Sequence, residues 1–256
     1  MQPNERRNVI LEQLNKHKKI DIDALAAQLN VSSMTIRRDL AYLEEHKQVI
    51  RTHGGAVLTK PLVIESSFQT KEGKYVAEKK RIAQKATELV KENYTILLDS
   101  GTTTLEIARQ LKHKRNLTVV TNDIKIAAEL MDSEVKLILT GGKVQNNIGA
   151  LFGPLTEQTL RNLHVDLCFL GAHAVHLHVG ITAPTFEKAS IKKLMIKSAQ
   201  ATWVVADASK LDRKALVKVC DLKELSGIIS DAGIVEYHPN ELQELLDVVA
   251  AEEETE

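Results

Sequence analysis

The stretch "VSSMTIRRDLAYLEEHKQVIRTHGGA", residues 31–56, decides how the chain is read. Ile36, Leu40 and Leu43 recur at helical spacing and give this segment an inward face. Ser32 or Ser33, just past the turn Asn30-Val31, can cap the helix, which reaches about Glu45. Met34, Arg38 and Ala41 fall roughly opposite the inward face, with Arg37 to one side. Upstream, one helix fits residues 4–17 with Val9, Ile10 and Leu14 inward, and a second is capped by Asp21 and buries Leu25 and Leu29. Downstream, "QVIRT" and "AVL" read as two short strands joined through "HGG". Helices followed by a small hairpin predict a winged helix-turn-helix over residues 1–57.

Two adjacent arginines near the start of a helix suit DNA reading. A recognition helix brings its N-terminal residues to base edges while its other face packs inside. Arginine can contact guanine through two hydrogen bonds, and hydroxyls reach bases or phosphate. The candidate DNA-binding residues are Ser32, Ser33, Met34, Thr35, Arg37 and Arg38 on the helix, with Arg51 and His53 on the hairpin. A solvated basic face would explain any one arginine alone; the full arrangement points to binding of double-stranded DNA. Helix-turn-helix proteins read paired half-sites as dimers, so a homodimer or larger homo-oligomer is expected.

Composition is compatible with this and narrows the rest. The 256 residues are 43% hydrophobic and 27% charged, enough for a folded core in one large or two ordinary domains. Net charge is zero, yet residues 1–60 hold ten basic side chains against seven acidic ones, which permits a basic N-terminal face. Cys168 and Cys220 lie far apart in or beside apolar runs, as buried thiols in a reducing compartment do. The N-terminus lacks a signal-type apolar core, and no apolar run approaches the ~20 residues of a membrane span. A cytoplasmic location away from membranes is expected.

Residues 58–77 lack clean periodicity, contain Pro61 and Gly73, and read as a linker. From Glu78 the pattern alternates. Apolar runs "TILLD", "LTVVT", "VKLILT", "DLCFLG", "TWVVAD" and "GIIS" are separated mostly by helical stretches such as "TTTLEIARQLK" and "EKASIKKLMIKSAQ". That alternation predicts an α/β fold, a Rossmann-like parallel sheet over residues 78–235. Residues 236–256 read as a C-terminal helix, about 240–250, and an acidic tail.

"TILLD" runs into "SGTTT" and then a helix. Asp99 and Ser100 end the strand, Gly101 permits a tight turn, and Thr102, Thr103 and Thr104 bring hydroxyls and N–H groups to a helix start, which favours anions. This is no nucleotide P-loop, for the chain lacks G-x-x-x-x-G-K-[ST]. An ordinary capped helix is the alternative. Other loops after strands add Thr121, Asn122, Gly141, Gly142, Asp207 and Lys210 as candidates.

In order along the chain, the helix-turn-helix segment, "AEKKRIA", "ILLDSGTTT", "VVTND", "LTGG", "FLGA" and "VADASK" closely resemble the DeoR family of bacterial regulators of sugar metabolism. The resemblance covers nearly the whole chain, up to "ISDAG"; Lys47 stands where the family usually has glycine before the wing. It implies a transcriptional repressor of a carbohydrate operon, whose C-terminal domain binds a phosphorylated sugar or polyol through the loops named above. Lys210 would supply the counter-charge, and Asp99 or Asp207 would accept sugar hydroxyls. The same domain is similar to ribose-5-phosphate isomerase, which makes a sugar-phosphate isomerase with an appended DNA-binding domain the rival reading. His173 and His176 stand where the enzyme has aspartates, while Glu187 and Lys188 match its "EK" pair. His173 and Glu187 therefore join the effector candidates, and loss of both aspartates argues against catalysis. His173, His176 and His178 also raise a metal site, but no cysteine or carboxylate pair completes a ligand set. The expectation is a non-enzyme with no metal and no cofactor.

Overall fold

The computed structural model describes residues 2–17, 19–46, 48–58, 62–237 and 239–251. They fall into two compact units, Met1–Pro61 and Leu62–Glu256.

In the first unit, α1 (Pro3–His17), α2 (Ile22–Leu29) and α3 (Ser33–Glu45) surround a core of Ile10, Leu14, Leu25, Ile36, Leu40 and Leu43. Asp21 caps α2, accepting from the N–H groups of Asp23 and Ala24 at 3.0 Å each. Asn30, with φ of 52°, ends α2 in the left-handed conformation that asparagine tolerates. Ser32 caps α3, accepting from Thr35 N at 3.1 Å. The wing is a three-stranded antiparallel sheet of β1 (Lys19–Asp21), β3 (Gly55–Leu58) and β2 (Val49–Thr52), in that order. The hairpin is as expected; the extra strand β1 is three residues long, too short to show alternation. Lys47 lies outside the described residues.

The second unit is a seven-stranded parallel sheet. Its order is β15 (Asp247–Ala251), β14 (Gly227–Asp231), β12 (Ala199–Val205), β9 (Val165–Gly171), β4 (Thr95–Leu98), β5 (Thr118–Thr121), β6 (Lys136–Leu139). Connecting helices include α5 (Val76–Glu88), α6 (Thr102–Leu111), α7 (Ile124–Leu130), α8 (Pro154–Arg161) and α9 (Phe186–Ser198). Two hydrophobic cores fill this unit, one containing Leu97, Cys168, Leu170 and Val204, the other Ile96, Leu98, Phe169 and Val205. Neighbouring residues of one strand thus serve different cores, which is why the central strands read as unbroken apolar runs. A hairpin of β7 (Lys143–Val144) and β8 (Leu151–Phe152) and a small sheet of β10 (Ala174–His176), β11 (Gly180–Ala183) and β13 (Val217–Cys220) complete it. The Rossmann-like strand order reverses between β4 and β9.

One expectation, the C-terminal helix, is corrected, and the 58–77 linker is packed over much of its described length. Val63 N donates to Lys214 O at 2.8 Å, Phe68 is buried at the start of α4 (Phe68–Glu72), and α5 already begins at Val76. The C-terminal helix is only α10 (Pro239–Gln243); residues 247–251 pair in parallel with β14, Gly227 opposite Asp247. The open edge of β14 offers a ladder of backbone partners that an isolated helical turn cannot match. The acidic tail lies outside the described residues.

Candidate nucleic-acid interface and effector cleft

On α3, Arg37 and Arg38 are exposed and Met34 is 65% exposed, all away from the core face. The hydroxyls nearby are otherwise engaged. Ser32 Oγ caps the helix and lies 2.9 Å from Thr35 Oγ1, and Ser33 Oγ donates to Asp23 Oδ1 at 2.6 Å. These residues build the turn that presents the arginines. On the wing, Arg51 sits 3.7 Å from Glu44 and His53 is exposed at the hairpin tip. One feature of this unit escaped sequence reading. Asp39, 2% exposed, lies on the core face of α3 and pairs with Arg6 Nε at 2.5 Å and Arg7 Nε at 3.1 Å. Its spacing, three after Ile36 and four before Leu43, puts a carboxylate on the apolar stripe, and such a charge needs a cation.

In the second unit the strand-to-helix turn after β4 opens onto a cleft of about 410 Å³. Of the expected effector residues, Ser100, Gly101, Thr102, Thr103, Thr104, His173, Asp207 and Lys210 line it. It lies at the carboxyl ends of β4 and β9, the crossover point where open α/β sheets bind ligands. Thr104 Oγ1 donates to Gly101 O at 2.9 Å and shapes the turn. Asp99 lies just beneath, 3% exposed, ion-paired to Lys192 and accepting from Gly171 N at 3.0 Å. Its carboxylate locks the two strand ends together. Asp207 is 2% exposed, accepts from Ser209 N at 3.2 Å and from the Ser209 hydroxyl, and lies 3.7 Å from Lys210.

Five expected residues stand elsewhere. Thr121 is buried and donates to Leu98 O at 2.8 Å, a tie between strands. Gly141 and Gly142 form a turn against α8: a Cβ on Gly142 would lie 2.3 Å from Thr156 Oγ1 and 2.6 Å from Phe152 O, and its φ is +120°. Glu187 is exposed and outside the cleft; its neighbour Lys188, 5% exposed, is the one that turns inward. Asn122, 1% exposed, lies in a small recess behind His173.

The missed residues are cations. Lys71, Lys74, Lys79, Lys192 and Arg213 join Lys210 and Asp207 around the cleft, with Lys71 and Lys192 ion-paired to Glu65 and Asp99. Lys188 and Lys192 are four apart on α9, interleaved with buried Ala189, Ile191 and Met195. That spacing places both on an apolar helix face, a signal the sequence does carry. Lys71, Lys74 and Lys79 come from the segment expected to be linker and its junction with α5. Burial pushes the ammonium pKa of Lys79 and of Lys188 down; Asp207 opposes this at Lys79 and Glu65 at Lys188. The three loop histidines do not converge. His173 turns to Glu65 at 3.5 Å, whereas His176 lies 4.0 Å from Asp212. Among the described residues no group of three histidine, cysteine or acidic side chains is placed to hold a metal ion.

The DeoR-like helix-turn-helix domain model matches residues 6–61, and the DeoR C-terminal sensor domain model matches residues 74–232. The chain belongs to the DeoR family. Among its relatives, a protein of Escherichia coli O157:H7 assigned as an aga operon transcriptional repressor is 36% identical over 234 residues, 90% of this chain and 87% of that one. The L-fucose operon activator of Haemophilus influenzae is 34% identical over 241 residues, 94% of this chain and 95% of that one. A ribose 5-phosphate isomerase A from Methanocaldococcus jannaschii superposes at a TM-score of 0.39 and 21% identity, over 52% of this chain and 53% of that one. As a DeoR-family regulator, the chain carries a helix-turn-helix unit and a sensor unit, and the six-cation cleft lies in the second. Among the described residues no helix is long and apolar enough to cross a membrane.

Proposed function

We propose that this DeoR-family protein represses a carbohydrate operon by binding its operator as a homodimer or larger homo-oligomer in the cytoplasm, and that a phosphorylated sugar or polyol in the sensor cleft releases it. The observation that carries the reading is the pairing of charge and geometry at α6. Six cations line the cleft into which the first turn of a ten-residue helix, Thr102 to Thr104, opens. A phosphate dianion gains from the helix end, the hydroxyls and the ammonium groups together. Relatives named for carbohydrate operons support the effector class, and one of them named as a repressor supports the direction. In an operator titration, a phosphorylated sugar of the regulated pathway should weaken DNA binding, while the unphosphorylated sugar should not.

The isomerase reading is disfavoured by the cleft itself. Glu187 lies outside it, Asp99 is tied to Lys192, and position 173 is histidine. The purified protein should not interconvert aldose and ketose phosphates; turnover that co-purifies with the chain and is lost on Glu187→Gln would reverse the ranking.

A further inference from the structure

Beside the cleft, and sharing Ser100, His173 and Lys192 with it, lies a recess of about 10 Å³ lined also by Asp99, Asn122 and Lys188. One carboxylate, from the segment that precedes α4, reaches Lys188 and His173 of that lining. Glu65 stands between Ile64, 79% exposed, and the exposed Ser66, yet its own side chain is only 19% exposed. Its Oε2 lies 3.0 Å from Lys188 Nζ and 3.5 Å from His173 Nε2, and its Oε1 accepts from Lys71 Nζ at 2.9 Å. Burial opposes the charged form, but the His173 hydrogen bond and the charges of Lys188 and Lys71 outweigh it and hold Glu65 well below the usual carboxylate range. Lys188 on α9, Lys71 on α4 and His173 in the loop after β9 thus surround one carboxylate. Three buried atoms here, Glu65 Oε2, Asn122 Oδ1 and His173 Nδ1, lack a hydrogen bond of good geometry. A purely structural ion pair leaves these atoms unsatisfied, whereas a ligand that takes the place of Glu65 can hydrogen-bond to them.

We propose that the niche formed by Lys188, His173 and Lys71 is an anion subsite at which a carboxylate of the effector exchanges with Glu65, so that the effector is a phosphorylated sugar acid. The inference rests on the phosphate reading of the α6 turn and adds a second anionic end to the same ligand. The discriminating point is charge balance. A neutral sugar phosphate that displaced Glu65 would leave the 5%-exposed Lys188 without a counter-charge, a strongly unfavourable state. A carboxylate exchanges with Glu65 like for like. Histidine at 173 suits this role, because it can donate to a carboxylate that an aspartate there would repel. Glu65 lies four residues beyond Pro61, so the exchange acts on the segment that follows the DNA-binding unit.

The test uses the full chain and two kinds of probe. Acetate is added to wild type and Glu65→Ala in thermal denaturation, against chloride at equal ionic strength. Acetate should raise the melting temperature of Glu65→Ala and not of wild type. Acetate without effect on Glu65→Ala overturns the niche, even where polyol phosphates bind and the α6 reading stands. Calorimetry then compares 6-phosphogluconate with glucitol 6-phosphate, which differ at carbon 1 by carboxylate against CH2OH. The acid should bind at least about tenfold more tightly, and Glu65→Gln should raise its affinity by about tenfold again while leaving the polyol phosphate within about threefold. Should Glu65→Ala not fold, Glu65→Gln decides: equal response of both phosphates overturns the proposal. Acetate rescue with no binding of either phosphate would leave the niche standing and remove the phosphate reading instead.

Discussion

Arg38 and Asp39 are adjacent on α3 and meet opposite surroundings. Arg38 is exposed beside Arg37, while Asp39 is buried against Arg6 and Arg7 of α1. The outward residues were legible from helical spacing alone. The inward pair was not, because its partners lie 33 and 32 residues away in sequence. Arg38→Ala should weaken operator binding by about 1–3 kcal/mol if the guanidinium reads a guanine edge. Wild-type affinity in a folded variant at matched salt would remove α3 from the recognition role. A second single-residue expectation concerns His173. Burial, countered only in part by Glu65 and joined by the charges of Lys192 and Lys188, pushes its pKa down from 6.5 to about 4. Between those values the unfolded chain takes up a proton that the folded chain refuses, so stability falls as pH drops from 6.5 towards 4. The shift amounts to about 3 kcal/mol at most. The depressed Glu65, a partner of His173, adds a contribution that is present above the unfolded value of 4.5 and is lost as pH falls below it. Thermal melts of wild type and His173→Gln from pH 7 to 4 should diverge in slope between 6.5 and 4; parallel curves would show that His173 is not held neutral by the fold.

At the scale of elements, periodicity recovered what owes its shape to burial. The three helices of the first unit and the central strands of the sheet follow from apolar spacing and cap residues. What periodicity missed depends on partners. Leu242, Leu246 and Val249 recur at near-helical spacing, yet residues 247–251 form a strand because β14 offers a parallel edge. The segment 62–75 has no period because its residues serve individual tasks: Val63 bridges to Ala215, Phe68 enters the core, and Lys71 reaches Glu65. The wing shows how closely elements meet. A Cβ on Gly55 would lie 1.8 Å from Ile20 O of β1, whereas one on Gly54 would meet only Asp21 Oδ2 at 3.8 Å. Gly55→Ala should therefore force β3 away from β1 and destabilise the first unit by at least about 1–3 kcal/mol, and Gly54→Ala should be near neutral. Urea unfolding of the two variants checks this, and equal midpoints would contradict the close approach of β1.

Over the whole molecule, binding chemistry is divided between the two units. The first presents exposed Arg37 and Arg38, and the second gathers cations around a concave turn. Sequence reading located the turn but only one of the six lysine and arginine residues around it, since the others come from the supposed linker, from α5, from the buried face of α9 and from the loop before β13. Division of labour predicts a reciprocal pair of variants. Thr102→Val keeps volume and removes a hydroxyl that lines the cleft and makes no hydrogen bond among the described residues. It should weaken effector binding and leave operator affinity unchanged, so the variant stays on DNA at effector concentrations that release wild type. Arg38→Ala should do the reverse. An effector at a hundredfold excess over its dissociation constant raises stability by about 2.7 kcal/mol, and a tenfold loss of affinity at the same concentration removes about 1.4 of that. Thermal shift reads the ligand arm without DNA, and an operator titration reads the other without ligand. A Thr102→Val protein that loses the operator yet keeps its thermal shift would sink the assignment of the α6 turn to the effector.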